Sequence, residues 1–168
     1  DAVSVIDAIF ESCSAFGTVG LSVGVTGRLN NAAKVLYMLV MFTWPCPAST
    51  YITSSFGNRL HPILKSWIFH TGLDIGCSSG KGILAAASGK VIMSQVYGGY
   101  GNCVMIDHGG GIVTLYGHAS KLCVSKGDVV KRGQVVAKVG STGRSTGPHL
   151  HFEVRKNGEY VNPMKYFK

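Results

Sequence analysis

His149 and His151 stand two residues apart in the run Gly-Pro-His-Leu-His-Phe-Glu-Val, near the C-terminal end of a 168-residue chain. On a β-strand, residues i and i+2 share a face. Two imidazoles side by side are costly to bury without a partner such as a metal or a polarised substrate. Far upstream, His70 and Asp74 form His-x-x-x-Asp, a spacing that puts both side chains on one face of a strand or a helix. His118 adds a further imidazole in Leu-Tyr-Gly-His. Four histidines and an aspartate exceed what a structural site needs. They suit a catalytic zinc with three protein ligands, an open water position and two spare bases.

The elements that must position these residues are short strands. Apolar stretches recur over 82–87, 89–96, 102–106, 112–116, 135–139 and 149–154. Glycine-rich turn signals separate them at 97–101, 109–111 and 156–158. The run 129–133 alternates poorly and reads as a hairpin corner. No long amphipathic helix follows residue 45. The pattern predicts an all-β unit, a small antiparallel sandwich or barrel. Taken alone, residues 126–140 resemble a segment of biotinyl or lipoyl carriers, but no Met-Lys tip for attachment lies nearby.

From about Thr53 to Lys168 the chain resembles the lysostaphin-type zinc metallopeptidases that cut bacterial peptidoglycan cross-bridges. The runs that carry the resemblance are Ser55-Phe-Gly-Asn-Arg-Leu-His-Pro62, Phe69-His-Thr-Gly-Leu-Asp-Ile75, Val104-Met-Ile-Asp-His-Gly109, Leu115-Tyr-Gly-His118 and Gly140-Ser-Thr-Gly-Arg-Ser-Thr-Gly-Pro-His-Leu-His-Phe-Glu153. The resemblance implies that His70, Asp74 and His151 are the zinc ligands. It implies that His118 and His149 are the non-ligand catalytic histidines, one zinc being held per chain. Two neutral imidazoles and one carboxylate would leave the ion a net charge of about +1, enough to bring a bound water towards neutral pKa. Either free histidine could take its proton or hydrogen-bond the oxyanion; the sequence does not divide those roles. The resemblance further implies a β-sheet groove with zinc on its floor. Residues 141–147 form a wall loop, in which Ser145 and Thr146 are candidates to approach a peptide backbone. Arg59 could hold a substrate carboxylate or phosphate through its planar fork, or fix its loop by a salt bridge. His108 reads as a turn or rim histidine. His61, before Pro62, reads as structural or on the cleft rim.

Charge supports an envelope setting. Residues 45–168 carry 14 Lys and Arg against 5 Asp and Glu, a net +9, and residues 1–44 carry 2 against 3, a net −1, so the basic excess behind the chain's formal +8 sits on the peptidase-like part. Such a field favours anionic partners, of which cell-wall polymers fit the site chemistry. No aromatic-basic interleaving supports nucleic acid. Cys13, Cys46, Cys77, Cys103 and Cys123 are odd in number and form no Cys-x-x-Cys pair, so a cysteine metal site is not expected.

The first 44 residues differ in kind. The run from Ile9 to Gly27, with Gly17-Thr-Val-Gly-Leu21 at its centre, resembles a pore-helix and filter segment of Trk/Ktr-type potassium transporters. The run from Ala32 to Trp44 looks like the start of a membrane helix but stops at Pro45, short of the roughly 20 residues needed to span. That family assembles its filter from several repeats, so one repeat makes no pore. The acidic start and late apolar run do not read as a signal peptide. The expected organisation is therefore a transporter-like, partly helical arm over 1–44, meeting a metallopeptidase domain over 45–168 at Trp44-Pro-Cys-Pro47. The arm offers membrane contact and is expected to pack poorly on the β-unit.

The expected function is zinc-dependent hydrolysis of amide bonds in peptidoglycan cross-links, in the bacterial envelope or outside the cell. One rival is a catalytically silent wall-binding or regulatory module of the same fold; another is a remnant of a potassium-transport subunit. Leu64 stands where some glycine-cleaving members have a cleft tyrosine. With Arg59-Leu-His-Pro62, that leans the reading towards direct cross-links between stem peptides.

Overall fold

The structure, a computed structural model, describes residues 42–60 and 66–167. The expected pore-loop segment, Cys13, His61 and Leu64 lie outside the described residues. Thirteen strands follow in chain order: β1 (Ile52–Ser54), β2 (Gly57–Leu60), β3 (Trp67–His70), β4 (Leu73–Gly76), β5 (Gly82–Leu84), β6 (Gly89–Val96), β7 (Asn102–Asp107), β8 (Ile112–Ala119), β9 (Lys121–Leu122), β10 (Val129–Val130), β11 (Val135–Lys138), β12 (His149–Lys156) and β13 (Glu159–Val161). Helical turns are confined to Gly98–Tyr100 and Pro163–Tyr166 among the described residues.

Among the described residues all strand pairings are antiparallel. The main sheet runs β1-β4-β12-β8-β7-β6-β10, with β13 also on β12; β5-β11-β9 and β2-β3 form two smaller sheets. The 156–158 turn signal makes the β12–β13 hairpin. There Asn157 and Gly158 take φ of 52° and 87°, as a tight hairpin turn requires.

β12 is the two-faced strand on which the site depends. Leu150, Phe152 and Val154 are fully buried in the core, with Ile75, Leu73 and Tyr116. His149, His151, Glu153 and Arg155 point the other way, by the two-residue period. Phe152 pairs with Leu73 on one side and Tyr116 on the other. Tyr116 is capped inside the core, its hydroxyl accepting from Ala86 N at 2.8 Å. Burial pushes that phenol up to about 12.

The segment before β1 corrects one expectation. Phe42 and Trp44, read as the end of a poorly packed arm, lie against the β-unit's core. Phe42 stacks on Tyr166 at 5.0 Å and Trp44 meets Phe167 edge-on at 4.8 Å. Thr43 N donates to Ala86 O and Leu84 N to Pro45 O, at 2.8 and 2.9 Å. Cys46 is fully buried. The change in sequence character at Trp44-Pro-Cys-Pro47 is thus not a break in packing, because aromatic side chains on both sides of it complete the core.

Candidate metal centre and cleft

His70 ends β3 and Asp74 lies in β4, so their spacing of four is not one face of one element, as the sequence suggested. The chain turns at Thr71 and Gly72 and brings both side chains back to one point. Gly72 is needed for that turn: a Cβ there would sit 2.5 Å from Phe152 O and 2.9 Å from His151 Nε2. Asp74 is then the direct cross-strand partner of His151. His149 and His151 do share one face of β12.

His70, Asp74 and His151 converge and are all buried. His151 Nδ1 lies 2.7 Å from Asp74 Oδ1, and His70 Nε2 lies 3.2 Å from both. The outward nitrogens decide what those inner atoms are. His70 Nδ1 donates to Ser55 O at 2.9 Å, and His151 Nε2 donates to Glu153 Oε1 at 3.2 Å. A neutral ring so bonded has spent its N–H outward. Two imidazole lone pairs and a carboxylate oxygen therefore face one another, an arrangement that requires a proton or a cation at its centre. Without a metal, a proton answers. Burial opposes charge on both groups. At Asp74 the imidazoles of His151 and His70, which hydrogen-bond the carboxylate when an inner nitrogen is protonated, outweigh it and hold the carboxyl well below the usual range. At His151 the two carboxylates outweigh burial and raise the imidazole. Two nitrogens and one oxygen are the donor set of open zinc sites, so the residues fit the ion.

His118 and His149 lie beside this cluster, their ring centroids 4.6 Å apart. His118 ends the run of β8 towards the cleft with a positive φ of 60°, rare for a residue with a side chain. Its Nδ1 donates to Thr142 O at 2.8 Å. Burial pushes its pKa down to about 4, so the ring is neutral at ordinary pH. His149 Nδ1 donates to Gly147 O at 2.8 Å, and its Nε2 is 3.7 Å from Asp74 Oδ1. Both rings thus hang from the 141–147 loop and keep Nε2 as an acceptor.

That loop is held from outside. Arg144 N donates to Gly99 O at 2.8 Å and Asn102 N to Thr142 Oγ1 at 3.0 Å. Gly101 and Gly143 touch there: a Cβ on Gly143 would lie 2.4 Å from Gly101 N. Ser145 Oγ is engaged within the loop, donating to Gly147 O at 2.8 Å and lying 3.3 Å from His149 Nδ1. Thr146 is exposed on the same loop. Arg59 Nη1 donates to Ser54 Oγ at 2.6 Å, and Nη2 stands 3.9 Å from Asp74 Oδ2. Its Nε is buried with no partner. His108 is half-buried under Phe42, its Nδ1 donating to Ser88 O at 2.8 Å.

Sequence reasoning missed Glu153 as a participant. It is fully buried and accepts from Tyr100, Thr71, His151 and Arg155. Burial alone would raise its carboxyl; these donors hold it down at about 2. The signal was present in the alternation itself, since Glu153 continues the same face as His149 and His151.

The profile of peptidase family M23 matches residues 68–163, which include both histidine pairs and Asp74. The chain belongs to peptidase family M23. A second profile, that of a cation transport protein of the TrkH type, matches residues 1–53. The chain is 50% identical over 115 residues to the DD-carboxypeptidase/endopeptidase Mpg of Neisseria meningitidis, covering 68% of this chain and 26% of Mpg. It is 38% identical over 123 residues to the murein hydrolase activator EnvC of Escherichia coli, covering 73% of this chain and 28% of EnvC. Among solved structures, a zinc-containing peptidase from Vibrio cholerae superposes with a TM-score of 0.69 at 37% identity, over 76% of this chain and 40% of that one. The chain spans about a quarter of the length of these curated relatives. Among the described residues no helix is long and apolar enough to cross a membrane.

Proposed function

We propose that this M23 chain is a zinc-dependent endopeptidase acting on amide bonds in bacterial peptidoglycan cross-links. His70, Asp74 and His151 hold one zinc per chain, and His118 and His149 are the catalytic histidines. The observation that carries the reading is the convergence of two imidazole nitrogens and a carboxylate oxygen at 2.7–3.2 Å, with two more imidazoles beside them. When bound, the ion supplies a polarised scissile carbonyl and a water acidified towards neutrality. The chain's own residues do the rest. His118 or His149 takes the water's proton at Nε2, because Nδ1 of each is committed to a carbonyl. The protonated ring then donates to the leaving amine, or to the oxyanion. Arg59, next to Asp74, and Ser145 and Thr146 on the wall loop are proposed to line the bound peptide.

The Mpg likeness and the Arg59-Leu-His-Pro62 context support direct cross-links between stem peptides as substrate, at the bacterial envelope or outside the cell. The net basic charge suits anionic wall polymers as a secondary contact. Residues 1–44 are proposed as a pore-loop fragment of a Trk/Ktr-type transporter, the cation-transport match supporting that origin. The likeness to EnvC favours a second reading, a silent module that binds the wall or regulates another hydrolase. The filled ligand positions weigh against it.

The test is digestion of purified walls of several cross-link chemotypes, with released peptides identified by mass spectrometry. Loss of cross-linked dimers with the matching free amine and carboxylate supports the endopeptidase. Intact dimers in every chemotype, with zinc bound, would leave the silent module.

A further inference from the structure

The two imidazoles nearest Asp74 are backed differently. His70 is backed by a neutral carbonyl, Ser55 O at 2.9 Å, and His151 by a carboxylate, Glu153 Oε1 at 3.2 Å. That carboxylate is itself fixed on every side. Oε1 also accepts from the Tyr100 hydroxyl at 2.7 Å and from Thr71 Oγ1. Oε2 accepts from Arg155 Nε at 3.1 Å and Nη2 at 2.7 Å. Glu153 is fully buried. A buried ion pair of this kind adds little stability over well-packed apolar side chains, so the carboxylate is better understood by what it touches.

We propose that Glu153 is a positioning residue for the metal. It holds His151 in the tautomer with the proton on Nε2, which aims the Nδ1 lone pair at the point shared by Asp74 Oδ1 and His70 Nε2. The other tautomer would set an imidazole lone pair against a carboxylate oxygen with no proton between them. The negative charge behind the ring also makes His151 a stronger donor to a cation than His70, in the manner of carboxylate–histidine–metal relays. Tyr100, Thr71 and Arg155 fix the carboxylate against rotation. Tyr100 adds its own contact, its ring 5.5 Å from that of His151.

The inference rests on the zinc reading above, and the experiment separates the two. Zinc affinity is measured by competition with a chromophoric chelator for the full chain, Glu153→Gln and Tyr100→Phe. The protonated nitrogen of His151 is identified by ¹⁵N NMR in the zinc-loaded wild-type protein. Glu153→Gln is expected to bind zinc about 10- to 100-fold more weakly, Tyr100→Phe to lose less, and His151 to carry its proton on Nε2. A folded Glu153→Gln that binds zinc as tightly as wild type overturns the role, as does an Nδ1 proton in the loaded protein. If Glu153→Gln does not fold, Tyr100→Phe decides in its place, since it removes one anchor of the same carboxylate: weaker zinc binding supports the role and unchanged binding overturns it. A wild-type chain that takes up no zinc sinks the zinc reading and this inference with it; a tight wild type with an indifferent variant sinks only Glu153.

Discussion

His151 and His118 face each other with 5.8 Å between their ring centroids, yet opposite kinds of partner hold them. His151 lies between two carboxylates, Asp74 and Glu153, and is anchored strand to strand. His118 and His149 are tied by Nδ1 to carbonyls of the 141–147 loop. The first arrangement concentrates negative charge and lone pairs at one point and calls for a cation. The second leaves Nε2 of each ring outside those loop bonds. On the proposed reading the same side chain takes two roles, ligand and base, set by what stands behind it.

The largest effect should come from emptying the carboxylate-backed side. Chelation should lower wall cleavage by roughly a thousandfold or more, since the metal supplies several kcal/mol of transition-state stabilisation. Added zinc should restore the wild type but not Asp74→Ala. Cleavage that survives exhaustive chelation would break the comparison at its root.

The loop-backed side should cost less. His118→Ala and His149→Ala are expected to keep zinc and fold while cleavage falls by roughly a hundredfold or more for whichever is the general base. Steady-state rates beside metal analysis of the same samples check this. Near-wild-type rates in both variants would remove these histidines from the chemistry.

Part of this contrast was legible in the sequence. The two-residue period placed His149 and His151 on one face of β12, and β6 spans the expected 89–96. The His70–Asp74 spacing misled, because strands β3 and β4 are too short to show a period and the turn between them lies in Gly72. Glu153 could have been found by continuing the alternation two residues further. Tyr100 and Thr71 could not, since they reach Glu153 from separate loops distant in sequence. Nor could the packing of Phe42 and Trp44, which depends on where Tyr166 and Phe167 fall.

A smaller effect concerns pH. Burial lowers His118 to about 4 from an ordinary value of 6.5. The unfolded chain therefore binds this proton more readily than the folded one. The contribution to stability is complete above about 6.5 and is lost as pH falls through about 4. In the metal-free protein, urea midpoints should fall less steeply across that window for His118→Gln than for wild type. Parallel pH profiles would mean that His118 is not held neutral by its site.

The smallest expected effect is none. Deleting residues 1–41 should leave cleavage unchanged, because every residue proposed as a ligand or a base lies C-terminal to them in the sequence. Deleting 1–46 should instead lower the melting temperature, because Phe42, Trp44 and Cys46 go with it. Equal behaviour of the two truncations would contradict the packing of that segment.

The central claim is the division of labour between neighbouring imidazoles on one strand, and zinc content per chain in His149→Ala and His151→Ala tests it most directly. The account predicts close to one zinc in His149→Ala and little or none in His151→Ala, both folded. Full occupancy in His151→Ala with loss in His149→Ala would exchange the two roles and contradict it.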